Sequence, residues 1–307
     1  MRDIARPAAA EAAALLLACL AIAGLSGCVL DVPYDKYAIV YGVADYEGGT
    51  VNDLDWPYED AVAMEAMLSA QGYVVWLQTN SAANLTSLLA DIGSVALAAS
   101  EDDLFVFYFS GHGAYNGTGP EPAAADTYTE WINLWGSLAD PAQTLSDDQL
   151  LAAFAPIAAR KKVIILDSCY SGGYIGNELE ADGEPSSLAE GSESIIALAA
   201  RAVSLYANFD GSSADIPPWE ALVLSACGES ERSWESSSYG HGVFTYYLLE
   251  AESEGDRNGD GWVTVTEAYD YIQENLYANW SQPLGLYYAY APHVSGGPVD
   301  YVLFEAR

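Results

Sequence analysis

Two polar corners of the sequence carry residues that could perform nucleophilic chemistry. Cys169 follows an aliphatic run in "ILDSCYSGG", and His112 lies in "YFSGHG" earlier in the chain. A thiolate can attack a carbonyl carbon, an imidazole can pass its proton to the leaving amine, and glycines keep backbone N–H groups accessible to the oxyanion. Either residue alone is more often a buried cysteine or a histidine satisfied by the fold. The two similar corners together favour a Cys–His pair.

The elements that would position this pair are predicted from periodicity. Short runs rich in Val, Ile, Tyr and Phe alternate with helical patterns, which predicts an α/β fold, a three-layer α-β-α sandwich with a mostly parallel sheet of about six strands. Ligands bind beyond the carboxyl ends of parallel strands, so His112 and Cys169 should share one crevice. The last predicted strand should close the sheet. The predicted strands are 36–43, 73–79, 103–111, 162–169, 221–227 and 299–306, and the predicted helices are 59–73, 84–97, 146–160, 242–255 and 266–278.

The N-terminal residues have the pattern of an export signal. Arg2 and Arg6 precede an apolar stretch that is short for a membrane span and ends in small residues before Cys28. "LSGC" resembles the lipobox of bacterial lipoproteins, which implies a signal peptide over 1–27, lipidation of Cys28 and a tether over 28–35. We therefore expect a lipid-anchored protein of the bacterial cell envelope, on the outer membrane and facing the periplasm or the surface. An uncleaved anchor helix and an ordinary secretory signal are the alternatives.

Composition and charge limit the class of protein. After removal of the signal about 280 residues remain, enough for one large domain, 36–307. The chain is 51% hydrophobic and 12% aromatic, which excludes disorder. Its formal net charge of -34 repels phosphates and excludes nucleic acid as a partner. The same charge is compatible with basic substrates and equally with a solvated acidic coat.

The cysteines leave one question open. Of the four in the sequence, Cys19 leaves with the signal and Cys28 takes the lipid. Cys169 and Cys227 then either form one disulfide or are a reactive thiol and a buried thiol. We favour the second arrangement.

The two corners in this order resemble the His and Cys motifs of caspase-like cysteine peptidases, most closely the bacterial relatives of metacaspases. "YAIVYGVADY", "LSAC" and "HGVFTYYLLEA" also lie where that family has similar segments. The resemblance covers nearly all of the chain after the signal and implies a caspase-like fold. It further implies a catalytic dyad of Cys169 and His112, with the N–H groups of Gly113 and Cys169 stabilising the oxyanion.

The resemblance also implies an acidic pocket for the residue before the scissile bond. Asp60 in "YEDA", Asp167 and Ser110 match the pocket positions of metacaspases, and paired carboxylates accept Arg or Lys through charge-assisted hydrogen bonds. The bulky residues 56–58 before Asp60 depart from the expected pattern. Asp60 and Asp167 could instead cap helix termini. Acidic residues after the fifth strand could reshape the preference: Glu229, Glu231 and Glu235.

The long segment 172–220 divides the domain as in related enzymes that are cut into two subunits. It separates a large-subunit-like part, 36–171, from a small-subunit-like part, 221–307. Its composition of Gly, Ser, Ala and Glu predicts an exposed loop. Arg201 is its single basic residue, and we expect autocleavage after it.

The stretch "DRNGDGWVTVTE", 256–267, matches the calcium loop of an EF-hand. Gly261 makes the sharp turn, and helical patterns flank both ends. EF-hands usually work in pairs and no second loop is present, so we expect a structural or activating Ca²⁺ site. The alternative is a polar turn that binds nothing. The predicted ligands are Asp256, Asn258, Asp260, Trp262, Thr264 and Glu267.

The sequence thus favours a lipid-anchored cysteine endopeptidase that acts on protein or peptide substrates, cleaves after Arg or Lys and is modulated by calcium. A catalytically silent calcium-binding surface module on the same scaffold is the main alternative, although such a module has no need of both His112 and Cys169. Transpeptidation through the same acyl-enzyme is the third.

Overall fold

The predicted α/β fold is confirmed by the computed structural model of the protein. An eight-stranded sheet has the strand order β11-β7-β6-β3-β1-β2, and the short strands β4 and β5 continue from β3. The path from β7 to β2 is parallel, and β11 is antiparallel at one edge. The structure describes residues 34–49, 52–115, 130–136, 138, 141–170, 220–227, 233–284, 290, 292–295 and 300–307.

The strands and helices follow in chain order. The strands are β1 Lys36–Gly42, β2 Tyr73–Thr79, β3 Leu104–Tyr115, β4 Glu130–Asn133, β5 Thr144–Ser146, β6 Lys161–Tyr170, β7 Glu220–Ser225, β8 Glu235–Ser236, β9 His241–Gly242, β10 Trp262–Thr264, β11 His293–Ser295 and β12 Val302–Glu305. The helices are α1 Pro57–Ala70, α2 Leu85–Ala98, α3 Asp147–Phe154, α4 Val243–Glu254 and α5 Val265–Leu276, which continues into a π-helical turn, Tyr277–Ser281.

Helices cover both faces of the sheet, as the three-layer prediction requires. On one face, Phe105 and Phe107 of β3 pack in an aromatic cluster with Phe154 of α3, and Ile92 of α2 joins the same buried core. On the other face, α1 and α4 contact the alternate residues of β3 and β6. The central strands are apolar along nearly their whole length because both of their faces are buried.

A close approach between β1 and α1 fixes the first helix. A Cβ on Gly42 would collide with the Pro57 carbonyl oxygen and would lie 2.6 Å from Ala61 Cβ. Only a glycine lets the strand end pass under the helix start at this point. The contact places the first turn of α1, and with it Asp60, beside the carboxyl ends of the strands.

The helix predicted over 146–160 is shorter than expected. It begins at Asp147, directly after β5, and ends at Phe154. Pro156 explains the early end, since a proline disfavours helical geometry in the residue before it and lacks an N–H donor.

The prediction that 299–306 closes the main sheet is wrong. β12 pairs antiparallel with β10 in a separate two-stranded sheet, and β11 forms the edge beside β7. The Gln71 side chain accepts from the Glu305 N–H and donates to its carbonyl oxygen, so the backbone of β12 is satisfied away from the main sheet. No helix in the described part of the chain is long and apolar enough to cross a bilayer.

Candidate active site

The strand register brings the predicted dyad together. β3 and β6 are neighbouring parallel strands, and His112 pairs with Cys169 across them. Two residues earlier on the same strands, Ser110 pairs with Asp167. Since residues two apart in a strand are separated by roughly 7 Å, the backbone of the His112–Cys169 pair lies about one side-chain length from that of the Ser110–Asp167 pair.

His112 is held in a buried and largely uncharged state. Its side chain is buried, and its Nε2 lies 2.9 Å from the Asn52 carbonyl oxygen, which makes Nε2 the donor nitrogen. Burial lowers the pKa of His112, although the Asn52 carbonyl and the Asp53 carboxylate act in the opposite direction. Its Nδ1 is buried and has no hydrogen-bond partner among the described side chains. The imidazole is thus presented as a neutral base with one acceptor nitrogen available.

Tyr46 contacts both the backbone and the ring of His112. Its hydroxyl accepts from the His112 N–H at 2.9 Å and donates to the Asn133 carbonyl oxygen at 3.0 Å. The two rings lie 4.8 Å apart between centroids. Sequence reasoning assigned Tyr46 no role, although it closes the segment "YAIVYGVADY". Its contact could be found only after β1 and β3 were placed side by side.

Gly113, predicted to help stabilise the oxyanion, follows His112 in β3. It pairs with Ile132 of β4 on one side and with Tyr170 of β6 on the other. The assignment of its N–H and that of Cys169 to an oxyanion hole stays a prediction.

Asp60 is a buried carboxylate with three donor groups around it. Its Oδ2 accepts from the Ser110 hydroxyl at 3.0 Å, and its Oδ1 lies 2.8 Å from His241 Nδ1. The Gly242 N–H points at both oxygens, at 3.1 and 3.2 Å. Burial raises the pKa of Asp60, and these donors counteract the rise.

Asp167 lies beside Asp60 and is equally enclosed. Its Oδ1 accepts from the Ser233 hydroxyl at 2.6 Å, and its Oδ2 accepts from the Thr245 hydroxyl at 2.6 Å and the Thr245 N–H at 3.2 Å. Burial and the neighbouring Asp60 raise the pKa of Asp167 to about 7, against the effect of the Ser233 and Thr245 donors. The three residues predicted to line the pocket, Asp60, Ser110 and Asp167, are therefore brought together.

Gly242 separates the two carboxylates at the start of α4. A Cβ on Gly242 would collide with Asp167 Oδ2 and would lie 3.0 Å from Asp60 Oδ2. Both aspartates accept N–H groups from this helix start. Neither is its N-cap residue, which is Gly242, because Asp60 lies in α1 and Asp167 in β6. The partial positive charge of the helix N-terminus favours their ionised forms.

Glu235 is a third carboxylate at this site. Its two oxygens accept the N–H groups of Trp56 and Asp55 at 2.9 and 3.1 Å. Burial raises the pKa of Glu235 to about 7; these donors oppose the rise, and the charges of Asp60 and Asp167 add to it. The sequence marked Glu235 as a residue that could reshape the pocket. The backbone of Asp55 and of Trp56, the first of the bulky residues before Asp60, holds its carboxylate.

The sequence did not reveal the residues that donate hydrogen bonds to Asp60 and Asp167 from the other side of the site. His241, Ser233 and Thr245 all contact its carboxylates, and the sequence patterns assigned none of them a role. The available signal was the segment "HGVFTYYLLEA", which the resemblance already singled out. Its polar residues could not be matched with Asp60 and Asp167 before the tertiary contacts were known.

Cys227 is a buried thiol in the structure, as favoured from the sequence. Its Sγ donates to the Ser168 carbonyl oxygen at 3.6 Å. The thiol of Cys227 is therefore bonded to the backbone of β6, the strand that carries Cys169.

The loop 256–267 forms a turn in which the side chain of Asp256 is hydrogen-bonded to the backbone of the loop itself. Asp256 accepts the N–H groups of Gly259, Asp260 and Gly261 at 2.7 to 3.2 Å, and Gly261 has a φ of 90°. Glu267 caps α5 by accepting from the Thr264 N–H and hydroxyl. Among the described residues, no group of three or more His, Cys, Asp or Glu side chains is arranged to hold a metal ion.

The predictions for Cys28, Arg201, Glu229 and Glu231 lie outside the described residues.

Comparison with known proteins agrees with this architecture. A family model described as the caspase domain matches residues 35–290. The crystal structure of protein GSU0716 from Geobacter sulfurreducens is similar with a TM-score of 0.56, at 21% identity, covering 86% of this chain and 94% of that chain. Caspase-1 from Spodoptera frugiperda is similar with a TM-score of 0.54, at 11% identity, covering 89% and 91%. None of the curated proteins matches the sequence.

Proposed function

Because the chain belongs to the caspase-domain family, we propose that it is a cysteine endopeptidase that cleaves protein or peptide chains after arginine or lysine. Family membership supports cysteine-peptidase activity on such substrates in general. The preference for a basic residue and the kinship with bacterial metacaspases are the finer parts of the proposal. The single observation that carries it is the pairing of His112 with Cys169 on adjacent strands, two residues beyond Ser110 and Asp167.

The first chemical step would be attack by Cys169. The neutral imidazole of His112 takes the thiol proton at Nδ1, and the thiolate forms a bond to the carbonyl carbon of the scissile peptide. When the carbon–nitrogen bond breaks, the imidazolium gives the proton to the leaving amine. Hydrolysis of the resulting thioester returns the thiol and releases the new carboxylate. Asn52 supports this role because its carbonyl fixes Nε2 as the donor nitrogen and holds the ring in place.

The acidic pocket would bind the residue before the cleaved bond. Asp60 and Asp167 present two carboxylates side by side, and Glu235 adds a third nearby. A guanidinium or ammonium group entering this buried site would be attracted by the carboxylates and would favour their ionised forms. Cleavage after aspartate is disfavoured, since a fourth carboxylate would be repelled.

Hydrolysis of fluorogenic peptides that end in Arg, Lys, Asp or Asn tests this function. We expect release after Arg and Lys from the wild-type chain and none after Asp. The Cys169→Ala variant should be inactive in every case, and an added amine nucleophile should not divert the product, which separates hydrolysis from transpeptidation. Cleavage after Asp, or activity that persists without Cys169, would refute the proposal, and a folded chain that is silent on all peptides would favour the binding module.

We propose that calcium modulates the activity through the loop 256–267. The oxygen donors suit Ca²⁺, and Gly259 and Gly261 give the loop its turn. Asp256, Asn258, Asp260, the Trp262 carbonyl and Glu267 would hold the ion, with Thr264 at the water position. Because Glu267 now caps α5, binding would require its carboxylate to leave Thr264. The melting temperature of the wild type should rise with Ca²⁺ and that of Glu267→Gln should not; an equal response would contradict the assignment.

Two further proposals concern parts of the chain outside the described residues. Lipidation of Cys28 would anchor the protein to the bacterial envelope, which incorporation of labelled palmitate into the wild type, and not into Cys28→Ala, would test. Autocleavage after Arg201 would leave two bands on a denaturing gel. A fully active protein that remains one band would refute the second proposal.

A further inference from the structure

His241 contacts the acidic pocket but has no part in the reaction described above. Its Nδ1 lies 2.8 Å from Asp60 Oδ1, and its side chain is 21% exposed whereas that of Asp60 is 1% exposed. The imidazole therefore connects a buried carboxylate with the solvent. An imidazole is also the side chain that most readily changes its charge near neutral pH.

The pocket gathers more carboxyl groups than one substrate side chain can pair with. Asp60 from α1, Asp167 from β6 and Glu235 from β8 converge on it, and the buried hydroxyl of Tyr108 reaches it through Thr245. β8 and β9 pair antiparallel, which sets Glu235 opposite Gly242 and Ser236 opposite His241. Buried like charges repel each other strongly, so full ionisation requires a compensating cation. His241 is in position to be that cation when the pocket is empty.

We propose that His241 is a specificity-determining residue of the acidic pocket, in which its imidazolium occupies Asp60 Oδ1 and competes with the basic side chain of the substrate. The neutral imidazole yields that oxygen to the substrate. This inference rests on the proposed function, since it assumes that the pocket takes a basic side chain. Arginine depends more on the released oxygen than lysine does, because a guanidinium can use two carboxylate oxygens at once. The preference for arginine over lysine should therefore increase with pH.

Two substitutions separate charge from geometry at this position. His241→Gln keeps an N–H donor for Asp60 and cannot carry a charge, whereas His241→Lys places a positive charge at this position. The three carboxyl groups titrate in all of these proteins, so a difference between variants reports on position 241. His241→Asn is a second neutral amide in case the Gln variant does not fold.

The test measures binding without turnover. Agmatine, which carries the arginine side chain, and cadaverine, which carries that of lysine, are titrated calorimetrically into the full chain bearing Cys169→Ala, at pH 5.5 and pH 8. We expect agmatine to bind about tenfold more tightly at pH 5.5 when His241→Gln is also present, since one charge-assisted competitor is removed. With His241→Lys, agmatine should bind weakly at both pH values. Propylurea, an uncharged analogue of the arginine side chain, should show no dependence on pH or variant.

The outcomes distinguish this inference from the proposed function. Equal agmatine affinities of the wild-type and Gln chains at pH 5.5, with unchanged melting temperatures, would overturn the role of His241 and leave the peptidase proposal intact. An arginine-to-lysine preference that does not change between pH 5.5 and pH 8 would also overturn it. If agmatine binds with the expected pattern while no peptide is cleaved by the chain with Cys169 intact, the role of His241 is supported and the peptidase proposal fails.

Discussion

The acidic pocket and the loop 256–267 lie at the two ends of the same helix and are built in opposite ways. The pocket receives N–H groups from the start of α4, and its donors and acceptors are as far as 182 residues apart in the chain. The loop follows the end of α4, and the hydrogen bonds of Asp256 all reach residues within five positions. One region is assembled by tertiary packing, and the other by a contiguous sequence.

This difference explains why the two regions respond differently to substitution. Pocket residues are buried, and each carboxylate depends on donors from other elements, so one change alters several contacts. The polar residues of the loop are exposed or half-buried and can exchange a lost contact for water. We expect changes at the pocket to affect substrate recognition strongly and changes in the loop to affect mainly local stability.

The largest effect is expected from Cys169→Ala. Loss of the nucleophile should reduce kcat on an arginine peptide by about 10⁴-fold or more, while the response of the melting temperature to calcium should stay as in the wild type. Cys227→Ala is the matched control, because that thiol is buried and bonded to the Ser168 carbonyl, and it should retain activity within about threefold. Equal losses from both substitutions would contradict the assignment of the nucleophile.

A pair of glycine substitutions compares the two regions directly. Gly242→Ala places a methyl group against Asp167 and Asp60 and should lower kcat/KM for arginine peptides by about 100-fold through misplacement of the carboxylates. Gly259→Ala meets no atom within 4 Å but has a φ of 75°. It should therefore cost about 1 kcal/mol of unfolding free energy and leave kcat/KM unchanged. A larger loss of kcat/KM from Gly259→Ala than from Gly242→Ala would contradict the proposed difference between the two regions.

Asp167→Asn should stabilise the protein at alkaline pH although it impairs the pocket. Burial raises the pKa of Asp167 from 3.8 to about 7, so between these values the folded state binds more protons than the unfolded state and stability falls as pH rises. The variant lacks this penalty and should gain about 2 kcal/mol at pH 8 and nothing near pH 4. Denaturant unfolding across this range measures the difference.

Asp103→Asn provides a control of opposite sign. Burial acts to raise the pKa of Asp103, but hydrogen bonds from Ser100 and the Asp35 N–H outweigh it and lower the pKa. Its carboxylate therefore contributes stability above the unfolded pKa, which is lost as the pH falls. Asp103→Asn should be destabilised relative to the wild type at pH 8 and less so near pH 3. If both variants were destabilised at pH 8, burial would not destabilise the ionised form of Asp167.

The smallest effect is expected at the end of the loop. Thr264 and Glu267 form a capping box at the start of α5, and Thr264→Ala should lower the unfolding free energy by about 1 kcal/mol. Thr266→Ala, an exposed site in the first turn of the same helix, should change it by less than about 0.5 kcal/mol. Peptidase activity should be unaffected by either. A loss of activity with Thr264→Ala alone would show that the two ends of α4 are coupled.

Much of the fold and part of the site could be predicted from the sequence. The β2 range 73–79 matches the structure, and β1, β3 and β6 are found within a few residues, because apolar runs buried on both faces are a strong local signal. His112, Cys169, Asp60 and Asp167 could be singled out from their motifs. β12 was misassigned, since a short apolar strand does not reveal its partner.

The sequence by itself determined the α/β class, the positions of the two polar corners at the ends of strands and the local hydrogen bonds of the loop 256–267, because these depend on periodicity and on residues close together in the chain. Only the tertiary structure decided that His241, Gly242 and Glu235 belong to the acidic pocket. Their role depends on burial and on hydrogen bonds to Asp60 and Asp167 or to the backbone before α1. Such contacts arise from packing between elements, which no local pattern encodes.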